Sequence, residues 1–441
     1  MNRRDFMKTT VVAGATAALA RPGEAKTAAP SDRLAIGVIG CGARAHEHLQ
    51  NLVEMPGVEV VAVCDAYKGR AERAKSRTGG RATIVQDYHE ILAMPGVDAV
   101  FIVTPDHWHK TMAVEALAAK KDIYLEKPMS YSIEDGLGIL DAVKRSDRIV
   151  QIGSQSVSGP DMIKARELVN AGKIGQVVEV RAAYNRNSAG GAWLYPIPPD
   201  ASPSTVNWDQ FIGPAPKRPF DLERFFRWRC YWDYSGGVAT DLFVHLVTWM
   251  NFVTDAKMPK GIMATGENYR FKKTHEVPDT VNALMLYPEN FTANLVCTLD
   301  NARGSQSGLE VLGTDGSLLL RNGGGVTLRP ESKHEDNRWV VRSWPEALER
   351  AYYADPKIQA VESPDTWAAQ TTPGEEHWGI EGRDDTYMHI ANFFECVRTR
   401  KQPYEDVVFG HRAAACAHMV NRSIREKKMI EWDFTADRTK D

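Results

Sequence analysis

The sequence has little of several features that would point to particular classes of protein. Its six cysteines are scattered and include no Cys-x-x-Cys pair, so neither a zinc site nor a disulfide framework is indicated. Its 54 basic and 57 acidic side chains nearly balance, and no basic stripe of the kind that contacts phosphate backbones is present. Internal repeats and low-complexity tracts are also missing. We therefore expect no metal and no nucleic-acid partner.

The first residues are typical of an export signal. Asn2–Lys8 (NRRDFMK) resembles the twin-arginine signal and runs into the mildly apolar stretch Thr9–Ala20. The alternatives are a disordered tail or a membrane anchor, but the stretch is well short of the roughly 20 apolar residues that span a bilayer. We expect a signal peptide and linker at residues 1–31, no stable membrane insertion, and a periplasmic or otherwise exported protein.

The next part of the chain alternates apolar runs with helix-like stretches. The apolar runs predict strands at Leu34–Ile39, Val58–Cys64, Ala99–Val103, Ile123–Leu125 and Ile149–Ile152. Strands that alternate with helices indicate a doubly wound parallel sheet, so the sequence predicts an α/β Rossmann domain at residues 32–151.

The character of the sequence changes after that domain. Alternating strands are predicted at Val177–Tyr184 and between residues 281 and 321, and a buried helix is predicted at Val238–Phe252. A long segment rich in Trp, Pro and Arg, Asn185–Tyr234, interrupts them, and its aromatic content argues against disorder. We expect an α+β substrate-binding domain with a large, mainly antiparallel sheet at residues 152–432, followed by a tail at 433–441.

A glycine-rich fingerprint for dinucleotides directly follows the first strand. Gly40-Cys41-Gly42-Ala43-Arg44-Ala45 matches G-x-G-x-x-G/A. In this pattern the first glycine permits a tight turn, the second lets backbone amides approach a pyrophosphate, and the small last residue allows close packing of helix on strand. Gly40, Gly42, Ala43, Arg44 and Ala45 are therefore predicted to bind a cofactor.

An acidic residue at the end of the second strand indicates which dinucleotide is bound. Asp65 follows about 20 residues after the glycines, where a carboxylate can hydrogen-bond the ribose 2′-hydroxyl group of NAD. Lys68 and Arg70 are the contrary signal, because a nearby cation can accommodate the 2′-phosphate of NADP. We expect NAD, with NADP the weaker alternative.

Two further motifs follow predicted strands, at the edge where a parallel sheet forms its ligand crevice. They are Thr104–His109 (TPDHWH) and Glu126–Pro128 (EKP). The predicted cofactor contacts in these motifs are Thr104, Pro105, His109, Glu126 and Lys127.

The predicted helix after the aromatic segment carries polar residues on one stripe. Asp241, His245 and Thr248 are spaced i, i+4 and i+7 in an otherwise apolar sequence. An amphipathic helix with a narrow wet face would explain this spacing. A carboxylate and an imidazole on so narrow a stripe are costly to desolvate, which favours the wall of a cleft.

Together these motifs resemble the Gfo/Idh/MocA oxidoreductase family, which includes glucose-fructose oxidoreductases and inositol dehydrogenases, over about Leu34–Trp432. The resemblance implies that Lys127, Asp241 and His245 form the catalytic group. Histidine suits the removal of a hydroxyl proton near neutral pH, and a lysine can stabilise the developing alkoxide, although a lysine base assisted by the histidine stays open. The family usually has an acid where this chain has Thr248, so the partner of the histidine is not identified.

The aromatic segment is expected to supply part of the substrate pocket. Aromatic faces and guanidinium groups suit the apolar ring face of a sugar and its hydroxyl or carboxylate groups. We expect two or three of its aromatic residues to line the pocket and the others to pack. They are Trp193, Tyr195, Trp208, Trp228, Tyr231, Trp232 and Tyr234, interleaved with Arg186, Arg224, Arg227 and Arg229.

Three functions compete. The first is an exported, NAD-dependent oxidoreductase that acts on a secondary hydroxyl group of a sugar, glycoside or cyclitol. The second is a redox-neutral glycosidase or lyase that oxidises its substrate transiently, although the Tyr-x-x-His-Gly run usual in such relatives is missing at Thr240–Leu246. The third is a binding protein that keeps NAD as structure, which the intact Lys127, Asp241 and His245 count against. The sequence leaves a homo-oligomer open.

Overall fold

Two β-sheets organise the part of the chain that the computed structural model describes, residues 33–302, 308–321, 324–331, 336–362, 374–380 and 382–440. The predicted signal peptide and linker at residues 1–31 lie outside the described residues.

The first sheet has six parallel strands in the order β3-β2-β1-β4-β5-β6. They are β1 (Leu34–Ile39), β2 (Val58–Cys64), β3 (Thr83–Val85), β4 (Ala99–Ile102), β5 (Asp122–Glu126) and β6 (Val150–Gly153). Every residue of β4 is buried, which explains its continuous apolar sequence. This strand order is that of the Rossmann fold.

Five α-helices connect these strands. They are α1 (Ala43–Leu52), α2 (Lys68–Arg77), α3 (Tyr88–Ala93), α4 (His109–Ala118) and α5 (Ile133–Lys144). Local sequence sets their starts: Asp87 and Glu90 form a capping box at α3, and Ser132 caps α5. Helix α1 begins after Gly42 without a side-chain cap, so its first backbone N–H groups remain available.

The second sheet has ten strands in the order β14-β13-β12-β11-β7-β10-β9-β8-β15-β16. They are β7 (Val177–Asn185), β8 (Gly261–Glu267), β9 (Thr280–Leu286), β10 (Thr292–Thr298), β11 (Gly308–Gly313), β12 (Gly316–Arg321), β13 (Val326–Pro330), β14 (Glu376–Trp378), β15 (Ile430–Asp433) and β16 (Arg438–Thr439). Its pairs are antiparallel except that β7 and β10 are parallel. In β9 buried and exposed residues alternate, as in a sheet with one covered face.

The remaining helices cover the second sheet or return to the first. They are α6 (Pro160–Asn170), α7 (Trp208–Ile212), α8 (Leu222–Phe226), α9 (Val244–Thr254), α10 (Arg338–Val341), α11 (Glu346–Ala354), α12 (Pro356–Val361), α13 (Asp385–Thr399) and α14 (Val407–Glu426). Short 3₁₀ turns lie at Asp106–Trp108, Gln155–Ser158 and Trp228–Cys230, and a π-helical turn at Ala239–Phe243 precedes α9.

Helix α13 belongs to the core of the first sheet despite its late position in the chain. Its Ile390 and Phe393 pack in one cluster with Ile36, Phe101 and Tyr124. The division at residue 151 stays a prediction, since this later helix completes the layer that the first sheet needs.

The predicted fold class is confirmed: an α/β Rossmann sheet precedes an α+β part with a large, mainly antiparallel sheet. The helix predicted at Val238–Phe252 differs in detail, because a π-helical turn replaces its first α-helical turn and α9 runs to Thr254. Within the described ranges, no helix combines the length and apolar character that crossing a bilayer requires.

Candidate active site

The glycine-rich turn lies between β1 and α1, at the carboxyl edge of the first sheet. Gly40 has a φ of +85°, and a Cβ atom there would lie 2.5 Å from the carbonyl oxygen of Val103. Any other residue at position 40 would thus be strained and would also clash with backbone. At Gly42 the corresponding space is open, with only the Arg70 guanidinium carbon and nitrogen at 3.9 and 4.0 Å.

Asp65 is hydrogen-bonded to the backbone of this turn. One of its carboxylate oxygens accepts from the amide of Cys41 at 2.7 Å, and the other accepts from the amide of Tyr67 at 2.7 Å. Each carboxylate oxygen has a further lone pair, so these bonds fix the group without using its full capacity as an acceptor. Asp65 therefore positions the turn as well as carrying charge beside it.

The other residues of the fingerprint have different environments. Ala45 is fully buried, as close packing of helix α1 requires. Arg44 is the second residue of α1, and its Nε donates to Glu126 at 3.3 Å while a terminal nitrogen donates to Glu47. Ala43 begins the helix. The N-terminus of α1, which has no side-chain cap, therefore lies at the carboxyl edge of the first sheet.

The motif after β4 contributes backbone and one open hydroxyl group. Thr104 lies beside Gly40, and its buried Oγ1 has no hydrogen-bond partner among the described residues. Pro105 starts the 3₁₀ turn that leads into α4. His109 is 1% exposed, and its two ring nitrogens lie 2.7 Å from the carbonyl oxygen of Pro128 and 3.0 Å from that of Thr104. His109 thus joins the two motif loops and can reach a cofactor only through them.

Glu126 is likewise enclosed by protein groups. Its carboxylate accepts hydrogen bonds from His48 at 2.6 Å and from Gln155 at 2.9 Å, besides Arg44. Burial alone would raise the pKa of this carboxyl group, but the bond from His48 and the charge of Arg44 outweigh burial and lower it. Glu126 is therefore a buried anion that holds α1 and β5 together next to Lys127.

Lys127, Asp241 and Arg229 form a charged group between the two sheets. Lys127 Nζ donates to the Asp241 carboxylate at 2.9 Å and to the Asp241 carbonyl oxygen at 2.6 Å. Arg229 Nε donates to the same carboxylate oxygen at 2.8 Å. The Lys127–Pro128 peptide bond is cis. Two predicted catalytic residues thus lie in direct contact, joined by an arginine from the aromatic segment.

A second carboxylic acid lies against this group. Burial, and then the charge of Asp241, raise the pKa of Asp106 to about 7. The Thr240 hydroxyl group lies 3.4 Å from its carboxylate, and a hydrogen bond from Ser235 acts against the rise in its pKa. For Asp241 itself, attraction to Lys127 and Arg229 outweighs the effect of burial, and its pKa lies far below the usual range. Asp241 is the anion of the group, and Asp106 is the acid that can carry a proton near neutrality.

His245 lies one turn after Asp241 and is half-buried. Its ring stacks on Tyr184 with centroids 6.1 Å apart and lies 6.3 Å from the ring of Trp249. Burial, together with the charge of Lys127, lowers its pKa to about 3. The ring is therefore neutral near pH 7. No hydrogen bond to His245 is found within the described residues, so its ring nitrogens are open to a ligand.

The narrow wet face suggested by the sequence is not present. Thr248 is fully buried, its Oγ1 has no partner in the described part of the chain, and eight other residues of α9 besides it are buried. The π-helical turn has one more residue per turn than an α-helix, which rotates Asp241 away from the simple i, i+4 register with His245. The polar residues here line a site within a buried helix.

Sequence reasoning did not single out three residues that the structure brings to this site. Arg229 is one of five arginines in the aromatic segment, and Asp106 lies inside a motif in which other positions are the predicted contacts. Tyr184 ends the predicted strand β7. The sequence signal for Asp106 is its position: it is an acidic residue that directly follows a proline, just after a buried strand. Of the aromatic residues, Trp193 and Tyr234 are fully buried and pack in the core.

Profile comparisons match three parts of the chain. The model for an oxidoreductase family with an NAD-binding Rossmann fold matches residues 34–154, and the model for the GFO/IDH/MocA C-terminal domain matches residues 205–319. Together these two cover more than half of the 441 residues. A twin-arginine translocation signal matches residues 1–20, which suggests export.

Curated relatives match over about a third of this chain. A scyllo-inositol 2-dehydrogenase (NAD(+)) from Bacillus subtilis is 37% identical over 142 residues, which is 32% of this chain and 41% of the relative. An inositol 2-dehydrogenase from Salmonella paratyphi B is 33% identical over 153 residues, 34% of this chain and 46% of the relative. The chain thus spans less than half the length of these relatives.

Solved structures match over both sheets. A levoglucosan dehydrogenase in complex with NADH and levoglucosan has a TM-score of 0.67 at 16% identity, with 90% of this chain and 99% of that one covered. An aldose-aldose oxidoreductase from Caulobacter crescentus, complexed with glycerol, has a TM-score of 0.65 at 18% identity with the same coverage. At these identities the likeness establishes the fold. With both family models matched in sequence order, the chain belongs to the GFO/IDH/MocA oxidoreductase family.

Proposed function

We propose that the protein is an exported, NAD-dependent dehydrogenase that transfers hydride from a secondary hydroxyl group of a sugar, glycoside or cyclitol to a tightly held cofactor. The observation that carries the proposal is the contact of Lys127 with Asp241 beside the open ring of His245, at the carboxyl edge of a Rossmann sheet. Three arrangements in the chain support it: a cradle for a dinucleotide, a fixed cation and an uncharged base.

The residues of the turn fit a dinucleotide. Helix α1 begins without a side-chain cap and without an acidic residue in its first turn, so its N–H groups suit a pyrophosphate. The open space at Gly42 faces the Arg70 guanidinium, which adds positive charge there. Asp65 suits the ribose of NAD, since a carboxylate repels the 2′-phosphate of NADP. Gly42, Asp65 and Arg70 would hold the cofactor.

Contacts from the aromatic segment support tight retention of the cofactor. The Arg70 guanidinium stacks over the ring of Phe226 at 5.0 Å, and the Tyr67 hydroxyl group donates to Asp200 at 2.6 Å. Tyr67 also forms an isolated β-bridge with Val206. The segment is thereby attached to the end of β2 where the ribose would lie. Opening this side requires breaking contacts between the two halves of the chain.

Lys127 supplies a fixed positive charge. Its Nζ is fixed 2.9 Å from the Asp241 carboxylate. A lysine held in this way can stabilise negative charge that develops on a substrate oxygen. This favours Lys127 as the electrostatic group and His245 as the base.

His245 is suited to accept the hydroxyl proton. When bound, the cofactor would supply a nicotinamide ring that can accept hydride from a substrate carbon. Burial and the charge of Lys127 keep the His245 ring neutral, with a pKa of about 3, which is the state that accepts a proton. In this state His245 would take the hydroxyl proton of the substrate. Asp241 fixes Lys127 and remains ionised throughout.

Single-turnover measurements test these roles. We expect His245→Ala to retain the cofactor but to lose roughly 100-fold to 10,000-fold in the rate of cofactor reduction, the usual contribution of a positioned base. Lys127→Ala should also lose rate, and it should bind the cofactor less well because it leaves Asp241 with one cation fewer. His89→Ala, an exposed histidine of α3, is the matched control and should react at the wild-type rate. A wild-type rate for His245→Ala would move the base to another residue.

Cofactor content separates net oxidation from redox-neutral chemistry. The mature protein is purified from the periplasm without added nucleotide, and bound NAD is identified by mass spectrometry. Nicotinamide absorbance is then followed across a panel of sugars, cyclitols and glycosides. Lasting reduction by a free sugar supports the dehydrogenase, whereas glycoside cleavage with no lasting reduction supports the redox-neutral alternative. Pure apoprotein that needs millimolar nucleotide would contradict tight retention.

A further inference from the structure

Arg229 presents an unused edge to the candidate site. Its Nε is bound to Asp241 at 2.8 Å, and the flat face of its guanidinium stacks on Trp228 at 4.2 Å. For its two terminal nitrogens, the described residues provide no acceptor. The side chain is 23% exposed, so this edge faces open space. The arginine is therefore held in one orientation with two N–H-bearing atoms left for a ligand.

Arg186 is a second cation without a carboxylate partner in the described part of the chain. Its guanidinium lies over the ring of Tyr184 at 5.0 Å, and its one close polar contact is with the Tyr184 hydroxyl group at 3.5 Å. The same tyrosine ring stacks on His245. Arg186 thus lies one aromatic ring away from the proposed base.

The other arginines of the aromatic segment are paired. Arg218 and Arg224 both contact Asp233, and Arg227 contacts Glu223 at 3.0 Å. Arg186 alone among the arginines of this segment has no carboxylate partner within the described residues, and Arg229 shares its partner, Asp241, with Lys127.

Arg186 and Arg229 both lie close to the proposed base. Arg186 is one aromatic ring, that of Tyr184, away from His245. Arg229 binds Asp241, which precedes His245 by four residues.

Three cations, Lys127, Arg229 and Arg186, lie here against the Asp241 carboxylate and Asp106, which is only partly ionised near neutral pH because its pKa is about 7. The charge of Glu126 is balanced by Arg44, so positive charge is in excess.

An uncompensated cation in a partly desolvated site is costly unless a ligand supplies the opposite charge. A guanidinium with both terminal nitrogens free matches the two oxygens of a carboxylate in a bidentate pair. A neutral sugar can accept hydrogen bonds from the same edge, but it leaves the charge imbalance in place. The arrangement therefore favours an anionic ligand over a neutral one.

We propose that the substrate is an acidic sugar or polyol, such as a uronic acid or its glycoside, whose carboxylate is bound by the terminal nitrogens of Arg229 with Arg186 as a second cation. This inference rests on the proposed function, because it assigns a substrate class to the same site. The bound carboxylate fixes the orientation of the substrate, and a separate secondary hydroxyl group lies next to His245.

Matched substrate pairs test the inference. Galacturonate is compared with galactose and glucuronate with glucose, with kcat/KM measured for each. We expect the wild-type protein to prefer the acids by at least 10-fold. Arg229→Gln and Arg186→Gln should each reduce the acid-to-neutral ratio by roughly 10-fold to 100-fold, the range for a lost hydrogen bond to a charged group. Arg218→Gln, which removes the same charge from the same segment, should leave the ratio unchanged.

The acid-to-neutral ratio of kcat/KM also distinguishes two roles of Arg229: recognition of the substrate carboxylate and its hydrogen bond to Asp241. Loss of the Arg229 bond to Asp241 slows both members of a pair and cancels in the ratio, and Arg186→Gln leaves that bond in place. Equal kcat/KM for acid and neutral sugars in the wild-type protein would overturn the inference. Preference for galactose 1-phosphate over galacturonate would overturn the carboxylate as the recognised group.

A binding measurement makes the test independent of turnover. Calorimetric titration of the NAD-loaded protein with galacturonate should give binding that Arg229→Gln weakens by the same factor, while galactose binds more weakly to both proteins. Galacturonate binding that depends on Arg229, without cofactor reduction by any sugar, would uphold this inference and contradict the proposed dehydrogenase. Oxidation of neutral sugars, with no Arg229-dependent binding of galacturonate, would uphold the proposed dehydrogenase and contradict this inference.

Discussion

Asp106 should make the stability of the protein depend on pH in a direction opposite to that of most carboxylates. Its side chain is 2% exposed and lies against the Lys127–Asp241–Arg229 group. Burial, and then the negative charge of Asp241, raise its pKa from 3.8 to about 7. The folded protein therefore keeps a proton on Asp106 at pH values where the unfolded chain has lost it.

The sign follows from proton uptake on folding. Between about pH 3.8 and pH 7 the folded state binds one more proton at Asp106 than the unfolded state, so the stabilising contribution of this proton is largest at low pH and is lost as pH rises to 7. One pKa unit corresponds to about 1.4 kcal/mol, and from pH 5 to pH 8 the lost contribution is roughly 2 to 3 kcal/mol. For a chain of this length that corresponds to a fall of about 3 °C in the melting temperature.

Asp106→Asn removes this titration while it keeps the shape of the side chain and an acceptor for Thr240. Melting temperatures are measured at pH 5 and pH 8, with and without saturating NAD. We expect the wild-type melting temperature to fall by about 3 °C more than that of Asp106→Asn between the two pH values. Asp141→Asn, an exposed carboxylate of α5, should fall as the wild type does. Equal falls for wild type and Asp106→Asn would show that Asp106 is already ionised at pH 5.

Two further substitutions address the cofactor turn. Asp65→Ala should weaken NAD binding by about 1 to 3 kcal/mol in a calorimetric titration, because a charged acceptor for the ribose is lost, and unchanged affinity would remove Asp65 from the site. It should also lower the melting temperature of the cofactor-free protein, since the amides of Cys41 and Tyr67 lose their acceptor. Gly40→Ala should abolish tight NAD retention, because its Cβ atom would meet the Val103 carbonyl oxygen at 2.5 Å; Gly80→Ala, also at positive φ but with nothing within 4 Å, is the control for backbone strain alone. Normal retention in Gly40→Ala would contradict the tight packing of this turn.

Local patterns account for what the sequence predicted well. The fingerprint from Gly40 to Ala45 and the apolar runs of β1, β2 and β4 depend on neighbouring residues, so the Rossmann order could be inferred without knowing distant contacts. Strand β3, only three residues long and with one buried side chain, gave no such signal. The mainly antiparallel second sheet was also predicted, because alternation of buried and exposed residues is a local property as well.

Contacts between distant segments explain what the sequence could not predict. Arg229 and Lys127 are about a hundred positions apart, and only the fold shows that they share the Asp241 carboxylate. The partners of His109 and Glu126 could not be predicted from their motifs for the same reason: the ring nitrogens of His109 lie against two backbone carbonyl oxygens, and His48 bonds the Glu126 carboxylate. Their contacts with a cofactor stay predictions. A motif identifies which residues lie near a crevice but not which of them face into it.

The proposed reacting group exists only when the two sheets are docked. Lys127 directly follows β5 of the first sheet, whereas Asp241 and Arg229 lie between strands β7 and β8 of the second. Separating the two sheets would leave Lys127 as a buried cation without its carboxylate, and it would leave the Arg229–Asp241 pair without its second cation. Both are strongly unfavourable in a desolvated site. The charge that would stabilise a substrate oxygen thus also holds the halves of the chain together. Under the proposed function, cofactor binding by the first sheet and chemistry beside the second are coupled through the carboxylate of Asp241.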